Sequence, residues 1–240
     1  MNYILGADLW EGNPVIDEPT LKAAGVAFMI VRLNDINGGL HKDVNFDVQW
    51  AQAAPFIRWP YFVYNPWVSG QQNFDWLANN IPNDACAVSI DIEVSKPGYS
   101  PHDYATQTGI FRSLVAQHWN HDTYTGGGYI ALLDKWPVTD YWWARWPFIV
   151  YPPQRENWTW EKLKGVIDSM TWNPGNTPGP CKLWQITGDR LILPGCGGTC
   201  VDINIWNGTL DELRAFAGYV PVLTLEERVT ALEDWVVRHG

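Results

Sequence analysis

The chain has 240 residues, of which 46% are hydrophobic and 18% charged. That suits one large folded domain or two small ones and excludes a disordered chain. Its net charge of −10 and the lack of any basic stripe argue against nucleic acid as a ligand, and also against simple electrostatic adhesion to anionic membranes or wall polymers. No stretch reaches the length of a membrane span, so no membrane insertion is expected. The first eight residues carry neither a basic start nor a long apolar run, so they do not read as a secretory signal.

Strand-like and helix-like segments alternate along the chain. A short strand is expected at 3–8, a helix at 18–24 closed by Gly25, and a β-branched strand at 27–33. A helix at 45–54, a strand at 59–64 and a helix at 71–79 follow. The apolar run 86–90 continues to Glu93 as a buried strand, too short for a typical helix. A long helix is expected at 104–119, with an apolar stripe at Ile110, Leu114 and Val115. Next come a strand at 129–132, a short helix at 136–144 and a strand at 146–151. Residues 170–180, rich in Pro, Gly and Asn, read as a loop. Strands at 182–186 and 201–205 and a helix at 210–217 complete the domain.

This alternation implies βαβ units and a largely parallel sheet. About eight strands over roughly 220 residues is the size of a (β/α)-barrel, so the expected class is α/β with an irregular, TIM-barrel-like architecture. A doubly wound open sheet competes, but no Gly-rich phosphate loop is present. Gly126, Gly127 and Gly128 precede an expected strand and read as a turn. In barrels of this kind, polar residues at the C-terminal strand ends form the site. Asp8, Asn34, Asn65, Asp91, Glu93, Gln185 and Asp202 all fall at or near such ends.

Beyond residue 219 the pattern changes. Leu225, Val229, Leu232 and Val236 recur at helical spacing, Thr224 is a candidate cap, and Glu227 takes the capping-box position. Residues 1–219 therefore read as the main domain and 220–240 as an amphipathic helix. Through residues 222–238 this helix serves either a homo-oligomer or a linker; the alternative is a helix folded back on the domain.

Asp91-Ile92-Glu93 carries the chemistry. Strand alternation points both carboxylates the same way. Two like charges in one site resist joint ionisation, so one carboxyl keeps its proton near neutral pH while the other is charged. Glycoside hydrolysis uses such a pair. A polar strand end paired with a nearby Arg or Lys is the plainer reading of so short a motif. The 16 tryptophans supply faces on which sugar rings stack, although most are expected to pack the core. Cys86 reads as a buried thiol. Cys196–Cys200 and Cys181–Cys200 are the candidate disulfides, and no oxidising compartment is established. No His lies near these cysteines, so no metal is expected. His118 and His121 read as a solvated surface pair.

Taken together, several motifs resemble glycoside hydrolase family 25, the Chalaropsis-type lysozymes that include many phage endolysins. Gly6-Ala7-Asp8-Leu9-Trp10-Glu11-Gly12 is similar to that family's opening strand. Ile16-Asp17 with the segment 21–28 is similar to its first helix and second strand. Tyr61-Phe62-Val63-Tyr64-Asn65-Pro66 takes the place of its Tyr-His-Phe strand. Asp91-Ile92-Glu93 matches its central D-x-E. Leu183-Trp184-Gln185-Ile186 and Val201-Asp202-Ile203-Asn204 match its closing strands. The likeness spans residues 3 to about 217 and rests on the order and spacing of these motifs.

The resemblance implies cleavage of the β-1,4 bond between N-acetylmuramic acid and N-acetylglucosamine in bacterial peptidoglycan, with no cofactor. It implies Glu93 as general acid and Asp91 as nucleophile or stabiliser of the cationic intermediate, with Asp8 and Asp202 as flanking acids. Tyr61, Tyr64 and Trp184 become cleft-wall candidates, with Asn34, Asn65 and Gln185 at the substrate-binding strand ends. It also implies synthesis in the host cytoplasm and action at the wall, reached through membrane holes made by another protein. The departures are Arg32-Leu33-Asn34-Asp35 in place of a Lys-x-[Ser/Thr]-Glu-Gly segment, Phe62 for His, and Glu11 for Gln. They leave the acid pair intact and alter the expected sugar subsites. Retention through a covalent intermediate, substrate assistance and inversion all stay open. Two other readings compete: a glycan-binding phage module without catalysis, and a chitinase-like barrel. The chitinase pattern needs further acids where this chain has Ala87 and Ser89.

Overall fold

A computed structural model describes residues 3–13, 16–37, 39–126, 140–145, 160–175, 177, 179–188, 193–196 and 201–219. Eight strands close into a barrel in the order β1 (Ile4–Leu9), β10 (Asp202–Trp206), β9 (Cys181–Gln185), β8 (Tyr141–Ala144), β7 (Asn120–Gly126), β6 (Ala87–Asp91), β5 (Ile57–Val63) and β2 (Val26–Arg32). A small antiparallel pair, β3 (Asn34–Asp35) and β4 (His41–Lys42), stands outside it. The helices are α1 (Glu18–Ala23), α2 (Phe46–Gln52), α3 (Gly70–Asn80), α4 (Pro101–Val115), α5 (Trp160–Ser169) and α6 (Leu210–Ala217). The expected α/β barrel is therefore present.

Its irregularity lies in β10, which runs antiparallel to both β1 and β9 while the other neighbours are parallel. The register pairs Asp202 with Asp8. Asp202 thus reaches the C-terminal face of the barrel from the start of a reversed strand, not from the end of a parallel one as the sequence pattern predicts.

Strand alternation sorts side chains into two cores. Phe28, Ile30, Trp59, Tyr61, Trp142 and Leu183 fill the barrel interior. Met29, Val31, Phe62, Ile90 and Ile203 face outward into the layer beneath the helices. Phe28 and Trp59 stack at 5.3 Å and 15°. Gly6 makes room for them, because a Cβ there would overlap the Phe28 ring. α6 closes the floor: Leu213 and Ala217 join the inner core, and Phe216 meets Trp59 at 5.4 Å and Trp206 at 5.6 Å. Thr209 and Glu212 form its capping box, and Gly218 ends it with a left-handed φ of 63°.

Several elements differ from the sequence expectation. Residues 141–144 form β8, where a helix is expected: the run Tyr141-Trp142-Trp143-Ala144 is aromatic and suits a pleated surface. β7 begins where the long helix was expected to end, since α4 stops at Val115. α4 also starts earlier, because Ser100 and Asp103 form a capping box with Pro101 in the first turn. α5 has no counterpart in the sequence reading, and Cys86, expected to be buried, is exposed just ahead of β6. The expected strands at 129–132 and 146–151, the helix at 220–240 and Cys200 lie outside the described residues. Of the expected surface pair, His118 is exposed beside Phe74 and Trp119, whereas His121 is half-buried with its pKa lowered by burial and by Arg112.

Candidate active site

Four acids meet at the C-terminal mouth of the barrel. Asp8 ends the inward-facing positions of β1, Asp91 is the last residue of β6, and Asp202 opens β10. Glu93 lies two residues past β6, yet the strand parity holds. Ile92 N donates to Tyr124 O at 3.0 Å and Ile92 O accepts from Thr125 Oγ1 at 3.0 Å, which continues the strand path; the Ile92 side chain packs in the outer core, so alternation turns Glu93 toward the mouth. The charge of Glu93 acts on both Asp91 and Tyr124. From α4, Tyr104 OH donates to Val94 O at 2.6 Å and fixes the segment that follows Glu93.

Asp8 and Asp202 are held by amides. Asn204 Nδ2 donates to Asp8 Oδ2 at 2.7 Å, and Gln185 Nε2 donates to Asp8 Oδ2 at 3.1 Å and to Asp202 Oδ2 at 3.0 Å. Each amide is oriented in turn. Tyr124 OH donates to Gln185 Oε1 at 2.9 Å, and Trp142 Nε1 donates to Asn204 Oδ1 at 2.8 Å. An indole N–H and an amide NH₂ only donate, so the chain of donors ends on carboxylate oxygens.

Asp91 is treated differently. It is 3% exposed and its Oδ1 has no hydrogen-bond partner. Burial holds its carboxyl well above the usual carboxylate range; Glu93 and then Asp8 push further in that direction, and Arg32 opposes them. Asp91 and Glu93 resist joint ionisation, so the empty site favours one proton shared between them. Tyr61 and Tyr124 stand beside these acids. Both phenols are raised well above their ordinary value, first by burial and then by surrounding carboxylates, so both stay neutral.

Arg32 is the cation facing this cluster. Its Nε lies 2.8 Å from buried Asp43 and its Nη2 lies 3.0 Å from Glu11. Two departures from the family pattern, Glu11 and Arg32, are thus partners of each other.

No family model and no curated relative matches the sequence. Solved structures match it in three dimensions. A bacterial lysozyme from Streptomyces coelicolor aligns with a TM-score of 0.67 at 19% identity, over 90% of this chain and 98% of its own. A family 25 glycosyl hydrolase from Bacillus anthracis aligns at 0.64 and 16% identity, over 89% and 93%. A family 25 lysozyme from Aspergillus fumigatus aligns at 0.63 and 18% identity, over 90% and 99%. The chain has the glycoside hydrolase family 25 fold.

Within that family 25 fold, the structure brings Asp8, Asp91, Glu93, Asp202, Gln185 and Tyr61 together. It does not bring in Tyr64, Trp184 or Asn34. Tyr64 faces outward against Tyr104 and Phe111. Trp184 also faces outward, donates to Arg145 O at 2.6 Å and meets Trp172 edge-on. Each occupies the opposite strand parity from an inward neighbour, Tyr61 or Gln185. Asn34 is fully buried and clamps β5, donating to Val63 O at 2.9 Å and accepting from Val63 N at 2.8 Å. Asn65 is buried too, and its Oδ1 accepts from Trp67 N at 2.9 Å to shape the turn after β5. Sequence reasoning missed Tyr124, Trp142 and Arg32 as parts of the site. Asn204 was visible as the last residue of the V-D-x-N motif. Among the described residues no cluster of three His, Cys, Asp or Glu is arranged to hold a metal ion.

Proposed function

We propose that this chain is a peptidoglycan hydrolase of the muramidase type. It would cut the β-1,4 bond between N-acetylmuramic acid and N-acetylglucosamine. The observation that carries this reading is Asp91: a buried carboxyl with an unpartnered oxygen, beside Glu93, at the mouth of a family 25 barrel.

The pair holds one proton. Glu93 is half-exposed and gives that proton to the glycosidic oxygen as the bond to the anomeric carbon breaks. Both carboxylates are then charged, a state the empty cleft resists. The positive charge developing at the anomeric carbon offsets it. Either the carbonyl oxygen of the 2-acetamido group or Asp91 meets that carbon. Water then attacks and returns a proton to Glu93. With the shared proton on Glu93, Asp91 is the charged partner, placed either to orient the acetamido group or to meet the carbon itself. In either route the ionised Asp91 carboxylate stabilises the charged ring that forms. Asp8 and Asp202, locked by Gln185 and Asn204, supply fixed negative potential at the same mouth.

Digestion of purified bacterial peptidoglycan with mass analysis of the fragments tests the assignment. New reducing ends on N-acetylmuramic acid are expected. New ends on N-acetylglucosamine, or no release from several wall types, would contradict it.

A further inference from the structure

The segments that follow β3, β5 and β6 line a groove of about 640 Å³, within the range of small-molecule sites. Val94, the neighbour of Glu93 in the chain, lies on it. Ile36 and Asn37 form one wall, after β3. Asn65, Trp67 and Val68 form the other, between β5 and α3.

Both walls are preorganised. Asn73, fully buried on α3, accepts from Asn65 N at 2.9 Å and donates to Asn65 O at 2.9 Å and Ser69 O at 3.0 Å. With the Asn65–Trp67 bond, this fixes the loop that carries Trp67. Opposite it, the Asp35 carboxylate accepts from Ile36 N at 2.6 Å, Asn37 N at 3.1 Å and Asn37 Nδ2 at 3.0 Å. On this rigid frame Trp67 stays 51% exposed. An indole left in water on an ordered loop is a costly arrangement unless something covers it.

Charge narrows the occupant. No lining side chain is charged, the neighbouring mouth is acidic, and the whole chain carries −10. A stem peptide with free carboxylates finds no Lys or Arg on the lining and meets a repelling field. A neutral N-acetylated sugar meets what the groove offers: an indole for the C–H face of its ring, and amides for its hydroxyl and acetamido groups. We propose that this groove, which begins at Val94 beside Glu93 in the chain, is a subsite for a neutral N-acetylglucosamine unit of the glycan. The proposal rests on the glycan-hydrolase reading above and adds which sugar lies on this side of the bond and which residue holds it.

The test is calorimetric titration of the full chain with the β-1,4-linked tetramer of N-acetylglucosamine. Wild type binds it; Trp67→Ala weakens binding about tenfold, in keeping with loss of one aromatic anchor. Trp67→Phe recovers most of that loss, and all three proteins melt alike because Trp67 supports no core. A soluble stem peptide does not displace the tetramer. No binding by wild type, equal affinity in Trp67→Ala, or displacement by the stem peptide overturns the subsite. Wall digestion run in parallel separates the two readings. Tetramer binding that depends on Trp67, with no reducing ends released by wild type, supports the groove and contradicts hydrolysis. Release by wild type with tetramer affinity unchanged in Trp67→Ala overturns the groove alone.

Discussion

Asp91 concentrates the cost of this site in one residue. A buried carboxyl with an unpaired oxygen and two acidic neighbours costs the fold most when it and Glu93 are both ionised. Asp91→Asn removes a like charge from beside Glu93. Glu93 then loses its proton at lower pH, so the alkaline limb of the residual activity moves to lower pH than in wild type. A pH–rate profile reads this shift, and an unmoved limb would mean that the two carboxyls do not share a proton. Gln185 is the second pressure point, since one NH₂ serves two carboxylates. Gln185→Leu leaves both without that donor and is expected to cost about 1–3 kcal/mol of stability, read by denaturant unfolding. Tyr124→Phe only frees the Gln185 amide to rotate. It is expected to lower kcat with little change in KM, as steady-state kinetics would show. The site was partly legible in the sequence. D-x-E and the W-Q and V-D-x-N strands identified the acids and amides. Strand parity separates Tyr61 from Tyr64: they are three apart, so one strand cannot point both inward.

At the scale of elements, β7 shows where sequence patterns fail. Asn120-His121-Asp122-Thr123-Tyr124-Thr125-Gly126 has no apolar run, and its inward residues are an acid and a phenol. Periodicity in hydrophobic residues cannot find such a strand. Its buried acid has a consequence for stability. Asp122 is raised to about 7 by burial, with a hydrogen bond from Ser89 opposing and Asp140 adding. The folded state thus binds this proton more tightly than the unfolded chain does. Stability is highest below the ordinary carboxylate value, falls as pH rises toward about 7, and stays low above it. At about 1.4 kcal/mol per unit, the loss is on the order of a few kcal/mol. Asp122→Asn is therefore expected to raise the melting temperature more at pH 8 than at pH 5. Equal effects at both pH values would contradict a buried, protonated Asp122. Where apolar strands and capped helices alternate, as in β1 through α3, the sequence pattern and the structure agree closely. Those elements are specified locally; β7 and β8 are specified by the barrel they complete.

At the scale of the whole molecule, the described residues form a barrel plugged by α6 at one end and lined with acids at the other. The reversed β10 was not visible in the sequence, because strand direction leaves no trace in composition; yet it is what brings Asp202 beside Asp8. The net charge of −10 makes one further expectation. An acidic protein approaching an anionic wall is repelled at low ionic strength, and salt screens that repulsion. The initial rate of wall lysis should rise between about 10 and 150 mM salt; a falling rate would mean that a basic patch drives association instead. The central claim is that Glu93 is the acid that breaks the glycan. The most direct measurement is reducing-end release from purified peptidoglycan by wild type and by Glu93→Gln, with matched melting curves to confirm that both are folded. The expected result is a loss of at least about 10²-fold in the variant; a folded Glu93→Gln variant with full activity would contradict it.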